Sequence, residues 1–359
     1  MLDINELMSL PTWYNKLRTE GLPVYIYGMG DGCEKVLSEF SKYGIECAGI
    51  FTSDDFKRDR EFHGFRLTTL SDLEASVIDF SAVLAFGTDI PEVLERIKGI
   101  SDRHLLVCPD TPVAGDDVFD QNGLLSREDD IQKVYSLLED EKSKDVFINI
   151  LKFKITGDIR YLNDHSDKDE PFSILSLGND EIYCDLGAYT GDTVRDFLSH
   201  TKGIYSHIYA FEPSRKNFQK CERNCSGLDN ITLINAAVSD ADREDCFSSG
   251  AGRQQMLSQH GTPTAVRSLD SVLGGKRASY IKYDVEGEEK QAIIGSRRTI
   301  EQYAPKLRIS IYHRPYDLID IPLQINKMLP NSRLYMRRQR YCPAWDTELI
   351  VIPQKAGQA

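Results

Sequence analysis

The chain has 359 residues, 41% hydrophobic and 28% charged. That is an ordinary globular balance, and the length exceeds what a single core usually supports, so two domains are expected. Its 43 basic and 56 acidic side chains give a formal net charge of -13, which argues against a polyanion-binding surface. No apolar run reaches the roughly 18 residues of a membrane span, and the opening residues MLDINE lack the basic and apolar regions of a signal peptide, so a cytoplasmic location is expected.

In chain order, residues 23–27 (PVYIY) read as a strand, Gly28, Gly30 and Gly32 as a turn, and Val36, Leu37, Phe40 and Tyr43 as the apolar face of a helix that Gly44 stops. A second strand at 46–51 ends near Asp54 and Asp55, residues 67–73 lead into another helix, and residues 81–86 form a third strand closed by Gly87. These are parallel-sheet units of the Rossmann type. The segment IYGMGDGCEKVLSEFSKYGIECAGIFTSD resembles small nucleotide-sugar-binding domains of sugar-modifying enzymes. Asp31 inside the loop opposes an anion, so the first expectation is a degenerate domain that shapes a substrate cleft or mediates association as a homodimer. Nucleotide-sugar binding is the alternative.

After a turn-rich stretch at 110–117, apolar residues recur at helical spacing from Ile131 through Leu151. The division expected is an N-terminal Rossmann-like domain over 1–127, a helical bridge over 128–170 forming one wall of the active site, and a second α/β domain over 171–359. His165 and its charged neighbours read as a solvated loop.

The densest signal lies at 181–192, EIYCDLGAYTGD: a buried strand, a glycine turn, then a helix. A second strand at 208–211 terminates on Glu212. An acid at the tip of the second strand, beside a glycine loop at the tip of the first, is how an α/β sheet holds the ribose of a nucleoside. A dinucleotide fingerprint requires G-x-G-x-x-G at a helix N-terminus. Here Asp185 precedes Gly187, Ala188 and Gly191, and a carboxylate there suits a cationic ligand better than a pyrophosphate. S-adenosylmethionine, with an ammonium and a sulfonium and no phosphate, fits. Further strands are expected at 231–234, 278–283 and 307–311, with residues 345–352 closing the sheet.

The segments YCDLGAYTGDTVRDF, YAFEPSRKNFQKCERN, INAAVSD, VRSLDSVL, ASYIKYDVEGEEKQAIIGSRRTI, LRISIYHRPYDL and WDTELIVI, in that order, resemble the FkbM-type methyltransferases. The most specific piece is KYDVEG at 282–287. The resemblance implies a class I methyltransferase fold, S-adenosylmethionine as cofactor, and O-methylation of a saccharide or sugar-bearing small molecule. On that basis Glu212 takes the ribose, Asn235 and Ala236 the adenine, and Asp185, Gly187, Ala188 and Gly191 the methionine part. Asp284, which is also expected to bind the cofactor, stands with Glu286 and His313 on the methyl-transfer side.

Methyl transfer to a hydroxyl needs an in-line oxygen and a proton acceptor, and no metal in principle. His313 is the first choice of base, with Asp284 or Glu286 next; the three could also chelate a divalent ion orienting a sugar diol. The loop 248–253 is expected to border the substrate. Arg337, Arg338 and Arg340, with Tyr335 and Tyr341, read as a solvated face or as contacts to an anionic substrate group or an internal acid. The eight cysteines contain no CxxC pair and read as free thiols; Cys221 and Cys225 alone make a weak metal case. A nicotinamide-dependent oxidoreductase, a non-enzymatic nucleotide-sugar-binding protein and an N-directed methyltransferase are the alternatives.

Overall fold

A computed structural model describes residues 2–56, 61–115, 118–247, 257–258 and 262–354. Two sheets organise the chain. The first is five-stranded and wholly parallel. Its strands are β1 (Val24–Tyr27), β2 (Cys47–Thr52), β3 (Thr68–Thr69), β4 (Ser81–Leu84) and β5 (Leu106–Val107), in the order β3-β2-β1-β4-β5. Helix α1 (Asp31–Tyr43) follows β1, buries Cys33, Val36 and Phe40, and ends at Gly44 with φ +61°, the left-handed conformation that glycine adopts without Cβ strain.

The second sheet has seven strands: β6 (Ile182–Leu186), β7 (His207–Phe211), β8 (Ile231–Ile234), β9 (Tyr280–Tyr283), β10 (Lys306–Ser310), β11 (Arg333–Arg338) and β12 (Thr347–Ile352). Their order is β8-β7-β6-β9-β10-β12-β11, parallel from β8 to β10, with β12 antiparallel to both β10 and β11. The chain therefore has the mixed α/β architecture expected from the sequence, with a Rossmann-like parallel sheet. A four-stranded sheet built from segments between Ala237 and Arg267 was not foreseen.

Strand β11 also escaped the sequence reading, because its alternation carries arginines on buried positions. Arg337 pairs with Asp140 at 2.7 Å and Glu170 at 2.5 Å, and Arg338 is enclosed by backbone carbonyls, including those of Leu162 and Tyr341. Only Arg340 reaches an exposed partner, Glu95 at 3.1 Å. Arg337 and Arg338 thus serve internal acids and carbonyls, not a solvated face.

The bridging segment is helical, and its long helix α2 (Glu141–Thr156) starts on an Asp140 cap and buries Val146, Phe147, Ile150 and Leu151. It packs on β11, and no residue of the bridge lines the cleft described below. The two sheets are stitched directly to each other. Thr88 and Cys342 exchange backbone hydrogen bonds of 2.8 and 3.0 Å, Ala114 N–H donates to the His313 carbonyl at 2.9 Å, and Lys154 forms a buried ion pair with Asp110. One apolar cluster runs through both parts, from Phe51 and Leu84 to Ile281 and Leu307. No helix among the described residues is long and apolar enough to cross a membrane.

Candidate active site

Strand β6 is flanked by β7, which follows it in the chain, on one side and by β9 on the other, so the strand order reverses there. The crevice beyond the carboxyl ends at such a switch point is where open α/β sheets take ligands. A cavity of about 600 Å³ lies there, lined by Gly187, Tyr189, Phe211, Glu212, Ala236, Val238, Asp284, Glu286 and Tyr312 among others, and by Asp346 from the turn before β12. Tyr189, Glu286 and Asp346 all have positive φ, +47°, +54° and +55°. Non-glycine residues held there store strain of about 1–3 kcal/mol each, and such residues concentrate at functional sites.

Gly187 carries the closest approach. Its φ is +93°, and a Cβ would overlap the backbone carbonyl of Asp284, so no other residue fits between the tips of β6 and β9. Its N–H and that of Ala188 both donate to the Phe211 carbonyl, at 3.1 and 2.8 Å, which fixes the turn against the end of β7. Gly191, at φ +83°, lies over the thiols of Cys221 and Cys225. Those thiols are 4.0 Å apart, and all eight cysteines are free.

Glu212 is buried on the cavity wall and accepts from Ser214 N–H at 2.8 Å. Burial pushes its pKa up to about 7, against the lowering effect of hydrogen bonds from the Ser214 and Tyr189 backbone. Asn235 does not line the cavity. Its side-chain amide donates to the carbonyls of Glu212 and Pro213 at 2.8 and 3.1 Å, bracing the segment that carries the acid, while Ala236 reaches the wall.

Asp185 is fully buried beneath the turn and does not touch the cavity. It accepts from the Thr193 hydroxyl and pairs with Lys282 at 3.6 Å; Lys282 also reaches Asp284 at 3.4 Å. Burial raises the Asp185 pKa; burial also works against the Lys282 charge, but Asp284 and Asp185 outweigh it and hold that pKa above its usual value. Lys282 had no role in the sequence reading, although its position two residues before Asp284 puts both on one face of the strand.

Asp284, Glu286 and His313 do converge. His313 Nε2 stands 3.6 Å from Asp284 Oδ1 and 3.5 Å from Glu286 Oε2, and Nδ1 stands 2.9 Å from Glu289 Oε1. His313 is wholly buried behind the two cavity-lining carboxylates. Burial opposes its charge, yet Glu289, then Glu286 and Asp284, hold its pKa up at about 10. A charged, enclosed imidazolium is poorly placed to be the first proton acceptor, whereas Asp284 and Glu286 face the cavity. Glu289 went unnoticed because its link to His313 joins a helix start to a strand end 24 positions away, with no local pattern to mark it. The loop 248–253 lies outside the described residues.

The residues fit the cofactor implied by the sequence. A Cβ-free approach at Gly187, an acid on the wall at Glu212 and small side chains at Ala236 and Ala237 make room for an adenosine and its ribose. Residues 185–341 match the family described as the Methyltransferase FkbM domain, a span that contains the whole constellation. The fold is similar to that of the crystal structure of Methyltransferase FkbM from Methylobacillus flagellatus KT. The TM-score is 0.71 at 18% identity, over 97% of this chain and 96% of that one, so the likeness takes in both sheets. Partial matches of lower TM-score include an rRNA methylase from Streptococcus thermophilus (0.35, 14% identity, 52% of this chain and 93% of that one). Another is the fibrillarin of Aeropyrum pernix in complex with S-adenosyl-L-methionine (0.32, 11% identity, 52% of this chain and 74% of that one). No curated protein matches the chain. With residues 185–341 matching the FkbM methyltransferase domain on its second sheet, the chain is an S-adenosylmethionine-dependent methyltransferase.

Proposed function

We propose that this enzyme methylates a hydroxyl group of a saccharide or sugar-bearing small molecule. The observation that carries the reading is the pair of carboxylates, Asp284 and Glu286, on the same cavity wall as Gly187 and Glu212. A hydroxyl acceptor must lose its proton as the new bond forms, and a polyol offers several donors to carboxylate oxygens. Bound S-adenosylmethionine supplies an electrophilic methyl group with a neutral thioether as leaving group. Glu212 accepts from the ribose hydroxyls, Gly187 admits the chain of the cofactor close to the backbone, and Asp284 or Glu286 orients the acceptor and takes its proton. His313 is a positioning residue in this scheme, holding both carboxylates from behind. The N-terminal part, taken as the domain over 1–127, braces the backbone that carries His313 through the Ala114 N–H.

The test is methyl transfer from labelled S-adenosylmethionine to a panel of free sugars, nucleotide sugars, glycosylated small molecules and amines, with products identified by mass spectrometry. The expected product is a sugar methyl ether, and Asp284→Asn should lower its rate about 100-fold or more. Transfer to amines alone would replace this reading with the N-directed one.

A further inference from the structure

We propose that Glu289 is a positioning residue for methyl transfer, acting through His313 on the two carboxylates that face the cavity. This role rests on the reading that Asp284 and Glu286 meet the acceptor, and it adds a side chain that does not itself line the cavity.

Asp284 and Glu286 sit in a turn that the chain would not adopt unaided. Glu286 has φ +54° and Gly287 φ +98°, and a non-glycine residue at positive φ persists only where its surroundings over-determine it. Glu289, the first residue of a short helix (Glu289–Ile294), is wholly buried behind that turn. Its Oε1 accepts from Val285 N–H at 2.8 Å, which ties down the backbone between the two acids. The same oxygen stands 2.9 Å from His313 Nδ1, and Nε2 of that ring stands 3.6 Å from Asp284 and 3.5 Å from Glu286. One carboxylate oxygen therefore sets both the backbone that carries the acids and the cation that lies behind them. On the far side of the turn, Arg314 Nε donates to the Gly287 carbonyl at 2.6 Å.

Charge explains why an acid stands at 289. The imidazolium has three acids around it, and Glu289 is the nearest. Buried Asp317 lies beside Glu289 with Lys290 at 3.9 Å, and Lys282 reaches Asp284 at 3.4 Å. With Glu289 balancing the ring, Asp284 and Glu286 keep negative charge for the acceptor's proton. With an amide at 289, the demand of the imidazolium falls on those two alone, and a carboxylate held by an adjacent cation is a weaker base. Burial leaves this coupling little screened by salt.

The experiment measures label transfer from S-adenosylmethionine to the pooled sugars and nucleotide sugars of the panel above, with cofactor affinity taken separately by calorimetry. Glu289→Gln keeps an acceptor for Val285 N–H. It should lower the rate at saturating cofactor about 10–100-fold while cofactor affinity stays within about threefold, a split that a merely loosened fold would not give. The double variant with His313→Gln removes the cation as well, and should turn over no slower than Glu289→Gln alone. A Glu289→Gln rate within about twofold of the parent, or losses that simply add in the double variant, would overturn the role. A pool that the parent leaves unmethylated would sink the acceptor reading instead. Imidazole ¹⁵N NMR of the parent needs neither variant nor acceptor: His313 should carry protons on both nitrogens at pH 8, and a ring neutral there would overturn the coupling to Glu289.

Discussion

The turn after β1 and the turn after β6 are laid on the same backbone plan. Gly28 N–H donates to the Phe51 carbonyl at 2.9 Å and Gly187 N–H to the Phe211 carbonyl at 3.1 Å, each tying the turn to the end of the neighbouring strand. Ala85 N–H donates to Tyr27 and Asp284 N–H to Leu186, both at 3.0 Å, on the other side. With the strands aligned in this way, Asp185 corresponds to Ile26, Lys282 to Val83, Glu212 to Thr52 and Asp284 to Ala85. Every charge of the second site has an uncharged counterpart in the first. The space differs too, since the Phe86 ring lies over Gly28 and the cavity there is about 280 Å³. The strand-tip acids of the first sheet are engaged locally, Asp54 with Ser71 and Asp55 with Arg96. A glycine turn on a parallel sheet is thus a mechanical device, and the ligand is determined by which side chains stand at three adjacent strand tips.

The largest effect that would sharpen this contrast comes from the foundation of the second turn. Lys282→Met leaves Asp185 buried without its cation and should destabilise the chain by about 3–5 kcal/mol in denaturant titration. The double change Asp185→Ile with Lys282→Val copies the first sheet and should recover most of that loss, because an apolar pair of fitting volume can replace a buried ion pair at little cost. Failure of the double variant to recover would mean that the two foundations are not equivalent.

Next in size is the turn itself. Gly187→Ala must displace the Asp284 carbonyl and should weaken S-adenosylmethionine at least about 100-fold by calorimetry. Gly30→Ala, at φ +97° but with nothing within 4 Å of its added Cβ, should leave that affinity unchanged. Equal losses would show that the first turn also serves the cofactor. The smallest effect concerns pH. Free Glu212 titrates at about 7, and ribose hydroxyls donate to its ionised form, so binding expels its proton. Affinity should therefore rise as pH goes from 6 to 8, by about tenfold at most, and Glu212→Gln should show no such rise. A flat profile in the parent chain would remove the ribose role from Glu212.

Much of the second sheet was legible in advance because each central strand is a short apolar run that ends on its functional residue, as Phe211 ends on Glu212 and Tyr283 on Asp284. Periodicity reports which face is buried, and strand ends follow from it. It does not report what a buried charge pairs with. Strand β11 was missed for that reason, Arg337 being satisfied by Asp140 and Glu170 far away in sequence and Arg338 by backbone carbonyls that include that of Leu162. The same limit hid Lys282 beneath the glycine turn and Glu289 behind His313. The bridging helices were legible as helices, but their placement depended on which sheet edge their apolar face would cover.

The contacts between the two parts also bear on modularity. The backbone of His313 is pinned by Ala114, Gly287 packs against that same alanine, and Asp110 is the buried partner of Lys154, whose ammonium also lies over the ring of Phe119. Cutting the chain near residue 127 would strand Lys154 without a counter-charge and free the loop beside Glu286. An engineer wishing to graft a different N-terminal unit onto this methyltransferase would have to carry residues 110–115 along with the catalytic half, since in structural terms they belong to it.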